Sequence, residues 1–315
     1  MSGGARPDPR RSGGTSAERP SVDPEADIRG LPCWRGPIAI EPLPGGLTNV
    51  NFKVRDARGT FAARAGTDDP DLGIDRRAEL ACARLGARLG VAPEVVFEAP
   101  PWLVTAFIAG KTLDGPALAD RPRLRRVAAL LRTLHDARRE VSGHLPWFSP
   151  FLAVRTWLGL AAARGYALPF DVAALRDAVD DLEARLAPFR PSLCHNDLMP
   201  GNLIEADDRL WLIDWEYAGV GHPLFDLAGL ASNANLDAEG AAALLDAYLE
   251  NSDLDPTLAR RQLRLLLPMA ALRECLWAVI QGAHSAIAFD YGAYRDDNFA
   301  RFQRALPDAA DSSDG

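Results

Sequence analysis

Lysine is almost missing from this 315-residue chain: of its 35 basic residues only Lys53 and Lys111 are not arginine. There is no surplus of positive charge either. The formal net charge is −8, with 43 acidic residues against those 35, which argues against a nucleic acid or an anionic membrane as partner, since such surfaces demand clustered cations. Cysteine is scarce: Cys33, Cys82, Cys194 and Cys275 stand far apart with no C-x-x-C pair. That spacing excludes a zinc knuckle and a disulfide framework and leads us to expect a reducing cytoplasm. The N-terminus lacks the apolar core of a signal peptide. The most apolar late stretch, 263–283, is interrupted by Arg264, Pro268, Arg273 and Glu274, so it reads as a buried helix rather than a membrane span. No internal repeat of useful length is present.

What remains is an ordinary enzyme-like composition, 48% hydrophobic and 25% charged, long enough for one large domain or two lobes. Residues 1–27 and 307–315 carry Gly, Pro, Ser, Arg and Asp with little to bury, and are expected to be disordered tails. Residues 28–109 read as a β-rich lobe. Strand patterns occupy 38–42, 50–55 and 60–65, with a hairpin spacer at Asp56-Ala57-Arg58-Gly59. A helix at 75–89 follows, with Asp75 as its N-cap, and then two more strands at 95–98 and 102–108. From residue 110 to 306 the apolar spacing is mainly helical, over 123–138, 172–186, 238–249 and 256–281. A two-strand insert at 203–213 interrupts it. The expected fold class is α+β, a bilobal kinase-like arrangement.

The chemistry concentrates in His195-Asn196-Asp197-Leu198-Met199-Pro200-Gly201-Asn202. An Asp followed five positions later by an Asn is the spacing of a kinase catalytic loop. The hairpin that follows ends at Asp214, placing Asn202 and Asp214 where both can supply oxygen to one Mg²⁺. Asp197 is then the carboxylate that orients an alcohol and accepts its proton. A solvated turn before a surface hairpin is the bland alternative, and it leaves the joint register of the three residues unexplained.

The run Cys194-His195-Asn196-Asp197…Gly201-Asn202, with Ile213-Asp214-Trp215-Glu216-Tyr217-Ala218-Gly219, resembles the choline/ethanolamine kinase family within the aminoglycoside phosphotransferase superfamily. The resemblance extends over about residues 43–302. It implies ATP and Mg²⁺ as cofactors and a nucleotide loop at Gly45, Gly46, Thr48 and Asn49, whose backbone approaches the phosphates. It also implies that Arg64, in Phe61-Ala62-Ala63-Arg64, stands where protein kinases carry a strand Lys, with Glu79 as its partner and Lys53 as the weaker substitute. Backbone groups at 106–108 are then expected to meet adenine. Asp226 would brace the catalytic loop, His135 would pack or cap, and no chemistry attaches to His222.

For the acceptor, the resemblance implies aromatic faces around a cation, with candidates Tyr217, Trp277, Tyr291 and Tyr294. The second Trp that the family's eukaryotic-type cage carries three residues before the position of Trp277 is Glu274 here. Glu216 and Glu274 would favour an amine with N–H donors over a trimethylated one. The expected activity is phosphorylation of a small cationic alcohol. An aminoglycoside-type antibiotic phosphotransferase and a catalytically inactive nucleotide-binding protein are the alternatives. A protein kinase is disfavoured because no Asp-Phe-Gly or Ala-Pro-Glu segment follows Asp214.

Overall fold

Large apolar residues alternate with smaller or polar ones along the first strands, and that alternation builds a sheet with one buried face. The computed structural model describes residues 24–43, 49–137, 145–250, 252–285 and 287–310. Strands β1 (Ala39–Pro42), β2 (Val50–Asp56), β3 (Gly59–Ala65), β4 (Val95–Ala99) and β5 (Trp102–Ala106) form an antiparallel sheet in the order β1-β2-β3-β5-β4. Asp56 fixes the β2–β3 turn by accepting the backbone N–H groups of Arg58 at 2.7 Å and Arg35 at 2.9 Å. Phe52, Val54, Phe61, Ala63, Trp102 and Val104 share one face and pack around Ile28. Each fully buried Val or Phe there is worth about 1.5–3 kcal/mol.

Ile28 belongs to helix α1 (Pro24–Gly30), so residues 24–27 are helical where a tail was expected. The apolar side chain at 28 needs the preceding turn to be carried onto the sheet. Across β3, Arg64 points to the opposite face, as strand alternation requires. Helix α2 (Arg76–Arg88) covers that side. Its start is capped by Asp75, which accepts the N–H groups of Arg77 and Ala78.

The second lobe is mainly helical: α3 (Arg121–Asp136), α4 (Pro150–Arg164), α5 (Val172–Ala184), α6 (Pro223–Asn233), α7 (Ala238–Leu249), α8 (Pro256–Gly282) and α9 (Tyr291–Ala310). Short strands β6 (Lys111–Thr112), β8 (Leu203–Ala206) and β9 (Arg209–Leu212) form one small sheet. Strands β7 (Ser192–Cys194) and β10 (Gly219–Gly221) form another. The 263–283 stretch is indeed helical as far as Gly282, the end of α8, and mostly buried, with α6 and α9 packed against α8. Helix α9 continues through Pro307 to Ala310, so residues 307–310 are helical rather than a tail. Among the described residues, no helix is long and apolar enough to cross a membrane.

Two features tie α2 to the second lobe. The N–H of Leu212 donates to the carbonyl of Val91 at 2.8 Å. Gly86 lets α2 approach Trp215 so closely that a Cβ there would fall 2.6 Å from Trp215 Cζ2. The residues that frame Asp214 are thereby fixed to the helix that carries Glu79.

Candidate active site

The loop that carries Asp197 leaves β7 and turns sharply, with Asn196 at φ +62°, a left-handed conformation that Asn tolerates better than most residues. Asp226, in the first turn of α6, holds this turn: it accepts the backbone N–H groups of His195 at 2.8 Å and Asn196 at 2.7 Å. His135 Nε2 lies 3.0 Å from the same carboxylate, and its Nδ1 lies 2.9 Å from the Tyr248 hydroxyl. His135 is therefore a buried brace, as is Asp226. His135, Cys194 and Asp226 present their ligand-type atoms within 4.8 Å of one another, but His135 and Asp226 are already hydrogen-bonded. His222 caps α6, its Nδ1 accepting the N–H of Leu224.

His195 Nε2 lies 2.9 Å from the carbonyl of Ile213, so it carries the proton in that contact. Burial pushes this imidazole below its usual range. Asn202 closes the loop from the other side, its Nδ2 donating to the Asp197 carbonyl at 2.9 Å. The N–H of Ile213 donates to the carbonyl of Asn202. That bond ties the residue before Asp214, itself at φ +64°, to Asn202.

Strand β3 and the start of α2 deliver the matching cations. Arg64 Nη2 bonds Glu79, the expected pair, and Arg64 Nη1 lies 3.3 Å from Asp214 Oδ1. Arg76, which sequence reading passed over, sits beside it. Its Nη1 donates to Glu79 at 2.8 Å and Glu216 at 3.1 Å, and its Nη2 donates to Asn49 at 2.9 Å. Asn49 Nδ2 in turn donates to Glu216 at 3.1 Å. Glu216 thus joins the Arg76–Asn49 network between the lobes. Gly45, Gly46 and Thr48 lie outside the described residues. The Ala106 and Phe107 N–H groups donate to the carbonyls of Glu94 and Thr60, which leaves the other backbone groups of 106–108 as the ones an adenine would meet. Lys53 pairs with Glu41 at 3.5 Å and lies over the Phe107 ring.

The second missed residue is Arg273. It is only 2% exposed, and its Nη1 contacts both Asp197 Oδ1 and Glu274 Oε1 at 2.5 Å. Its guanidinium lies 4.2 Å from the Tyr217 ring centroid, which accounts for the place of Tyr217. Glu274 Oε2 accepts from the Tyr294 hydroxyl at 2.9 Å. Tyr294 meets Trp277 edge-on, and Tyr291 and Phe289 complete an aromatic cluster. Among the described residues no ring contact joins Tyr217 to that cluster. The signal for Arg273 was an adjacent Arg-Glu pair inside the otherwise apolar run 265–280 of α8. Such a pair cannot be buried without partners elsewhere in the chain.

Burial pushes the Asp197 carboxyl up to about 7, Arg273 opposing and the Glu274 and Glu216 charges adding. Burial also raises Asp214 well above the carboxylate range, with Glu216 adding and Arg64 opposing. Around the cleft five carboxylates (Glu79, Asp197, Asp214, Glu216 and Glu274) face three guanidiniums (Arg64, Arg76 and Arg273). An unbalanced, oxygen-rich set of this kind fits a hard divalent cation.

The pattern of the phosphotransferase enzyme family matches residues 39–266, and the chain belongs to that family. It is 34% identical over 118 residues to protein LicA of Haemophilus influenzae, covering 36% of this chain and 44% of that protein. It is 31% identical over 190 residues to a thiamine kinase of Salmonella paratyphi A, covering 59% and 63%. The matched stretch therefore spans less than two thirds of either relative. A choline/ethanolamine kinase family protein of Mesorhizobium loti superposes with a TM-score of 0.74 at 28% identity, over 92% of this chain and 96% of that one. LicA solved in complex with AMP superposes with a TM-score of 0.71 at 23% identity, over 86% and 92%. At that identity the likeness is one of fold.

Proposed function

We propose that this protein is an ATP- and Mg²⁺-dependent kinase that phosphorylates the hydroxyl of a small cationic alcohol, of the choline or ethanolamine kind. The observation that carries the reading is the meeting of Arg64, from the sheet, with Asp214 at 3.3 Å. It sets a phosphate-binding guanidinium beside a metal-type carboxylate, with the catalytic loop of Asp197 and Asn202 adjoining. The AMP held by LicA supports a nucleotide site in this fold.

Arg64 offers its planar fork to phosphate oxygens, and Glu79 fixes its direction. Asn202 and Asp214 would hold Mg²⁺, which neutralises phosphate charge when bound. Asp197 orients the acceptor hydroxyl. As the new oxygen–phosphorus bond forms and the bond to the leaving diphosphate breaks, the hydroxyl proton passes to Asp197 and then to solvent. The raised affinity of Asp197 for a proton suits this role. The aromatic cluster around Trp277 supplies faces for the amine end. A reducing compartment is part of this reading.

The test is ADP release with Mg²⁺ across choline, ethanolamine, thiamine and several aminoglycosides, with Asp197→Ala as control. Turnover of at least one cationic alcohol, falling by about 10²–10⁴-fold in the variant, is the expected result. Turnover of neutral polyols alone would overturn the cationic acceptor. Near-normal activity in Asp197→Ala would remove that residue from the mechanism. Turnover confined to aminoglycosides would favour the antibiotic-modifying reading, which the carboxylate excess of the cleft also accommodates.

A further inference from the structure

Arg273 has more donors than partners. Only its Nη1 is engaged, by Asp197 and Glu274, while Nε and Nη2 are buried without a hydrogen-bond partner among the described residues. The hydroxyl of Tyr217, whose ring lies under the same guanidinium, is also buried and unpartnered. Three orphan donors at one place are unusual, because buried polar groups are nearly always paired. Such groups in a native structure point to something that pairs with them.

Their position says what that is. Nη1 and Nη2 share one carbon in a rigid planar fork, so the unpaired edge of Arg273 lies next to the atom that touches Asp197. An alcohol placed with its reacting hydroxyl on Asp197 presents its neighbouring atoms to that edge and to the Tyr217 hydroxyl. What fits there is a hydrogen-bond acceptor. The charge of Arg273 is already met by Asp197 and Glu274, and the cleft carries more carboxylates than guanidiniums. The acceptor is therefore an uncharged oxygen and not a second anion.

Resting on the kinase reading above, we infer that the acceptor is a cationic alcohol bearing a second, uncharged oxygen near the phosphorylated hydroxyl, with Arg273 and Tyr217 as the residues that select it. Such an amino diol or amino polyol would place its amine toward the Trp277 cluster and its second oxygen on Arg273. Choline and ethanolamine lack that oxygen and leave the donors unpaired, a loss of roughly tenfold to a hundredfold in kcat/KM.

The experiment compares matched pairs with the full chain, ATP and Mg²⁺: ethanolamine against 3-amino-1,2-propanediol, and choline against its 2,3-dihydroxypropyl analogue. The expected result is a kcat/KM at least about tenfold higher for the dihydroxylated member of each pair. That ratio should fall toward one in Arg273→Lys, which keeps the charge and removes the fork. It should also fall severalfold in Tyr217→Phe, a variant that keeps the ring under Arg273. A ratio is insensitive to a general loss of folded protein or of rate, so a purely structural role for either residue would leave it unmoved. Equal turnover of both members by the unaltered protein would overturn the inference while leaving the kinase reading intact. A preference for the diols that both variants retain would overturn the assignment to Arg273 and Tyr217. Failure of all four alcohols to accept phosphate would overturn the inference, and with aminoglycosides and thiamine also inert, the kinase reading too.

Discussion

Asp226 Oδ1 accepts the backbone N–H of Asn196 at 2.7 Å, joining the first turn of α6 to the residue that precedes Asp197. The other carboxylate oxygen takes the N–H of His195 and faces His135.

Asp226→Ala leaves two buried amides and one imidazole without their shared acceptor. At about 1–3 kcal/mol for each orphaned group, the loss of stability should be about 3 kcal/mol or more, read from the denaturant midpoint. Activity should fall more steeply than the folded fraction, because a displacement of Asp197 near 1 Å costs about 10²-fold. Unchanged stability would show that the brace is redundant.

Arg64→Lys keeps a positive charge but cannot address Glu79 and Asp214 with separate nitrogens, as Nη2 and Nη1 do. We expect kcat/KM for ATP to fall by about 10–100-fold, the scale of one lost bidentate contact. Glu79→Gln should give a smaller loss in the same parameter. Initial rates at varied ATP check both, and a normal KM with a normal kcat in Arg64→Lys would contradict the assignment.

Gly86→Ala sets two effects against each other. The added methyl favours the helix by up to about 1 kcal/mol, yet it meets Trp215 carbon atoms at 2.6 and 2.7 Å. Overpacking at such contacts costs about 1–3 kcal/mol, so a net loss is expected in thermal or denaturant unfolding. Because Trp215 neighbours Asp214, the variant should also raise KM for the nucleotide.

His222 supplies the pH dependence. Burial pushes its imidazole down to about 3, with the nearby His135 acting in the same direction. Its usual value is about 6.5. Between those values the unfolded chain holds a proton that the folded one does not, so stability rises with pH across that window and is lost on acidification. One proton contributes about 1.4 kcal/mol per pH unit. His222→Asn keeps a capping oxygen for Leu224 and removes the titration. Its plot of unfolding free energy against pH should be shallower between pH 6 and 4, and an unchanged slope would exclude His222.

Much of this was legible in the chain. The loop and hairpin that carry Asp197, Asn202 and Asp214 could be read because their geometry is local and of fixed length. The Arg64–Glu79 pair was implied by the family resemblance, and strand alternation supplied only the face on which Arg64 stands. Helix α4 was missed although Ser149, Pro150 and the positive-φ Gly165 mark its ends, because its apolar residues fall on all sides and give no periodic stripe. Arg76, Arg273 and the role of Glu216 were missed for another reason. Arg76 meets Glu216 across 140 positions, and Arg273 meets Asp197 across 76. No spacing rule reaches that far, so only the oddity of charge in the apolar run 265–280 could have flagged Arg273.

The pairing of Arg64 with Glu79 and Asp214 has a consequence for how an anion enters. Before any nucleotide arrives, this guanidinium already has counter-ions covalently tethered to the chain. Binding a polyphosphate is therefore an exchange of one set of anions for another. Simple salts have little to gain by the same exchange, so the ionic-strength dependence of nucleotide affinity should be weaker than a bare arginine pocket would give.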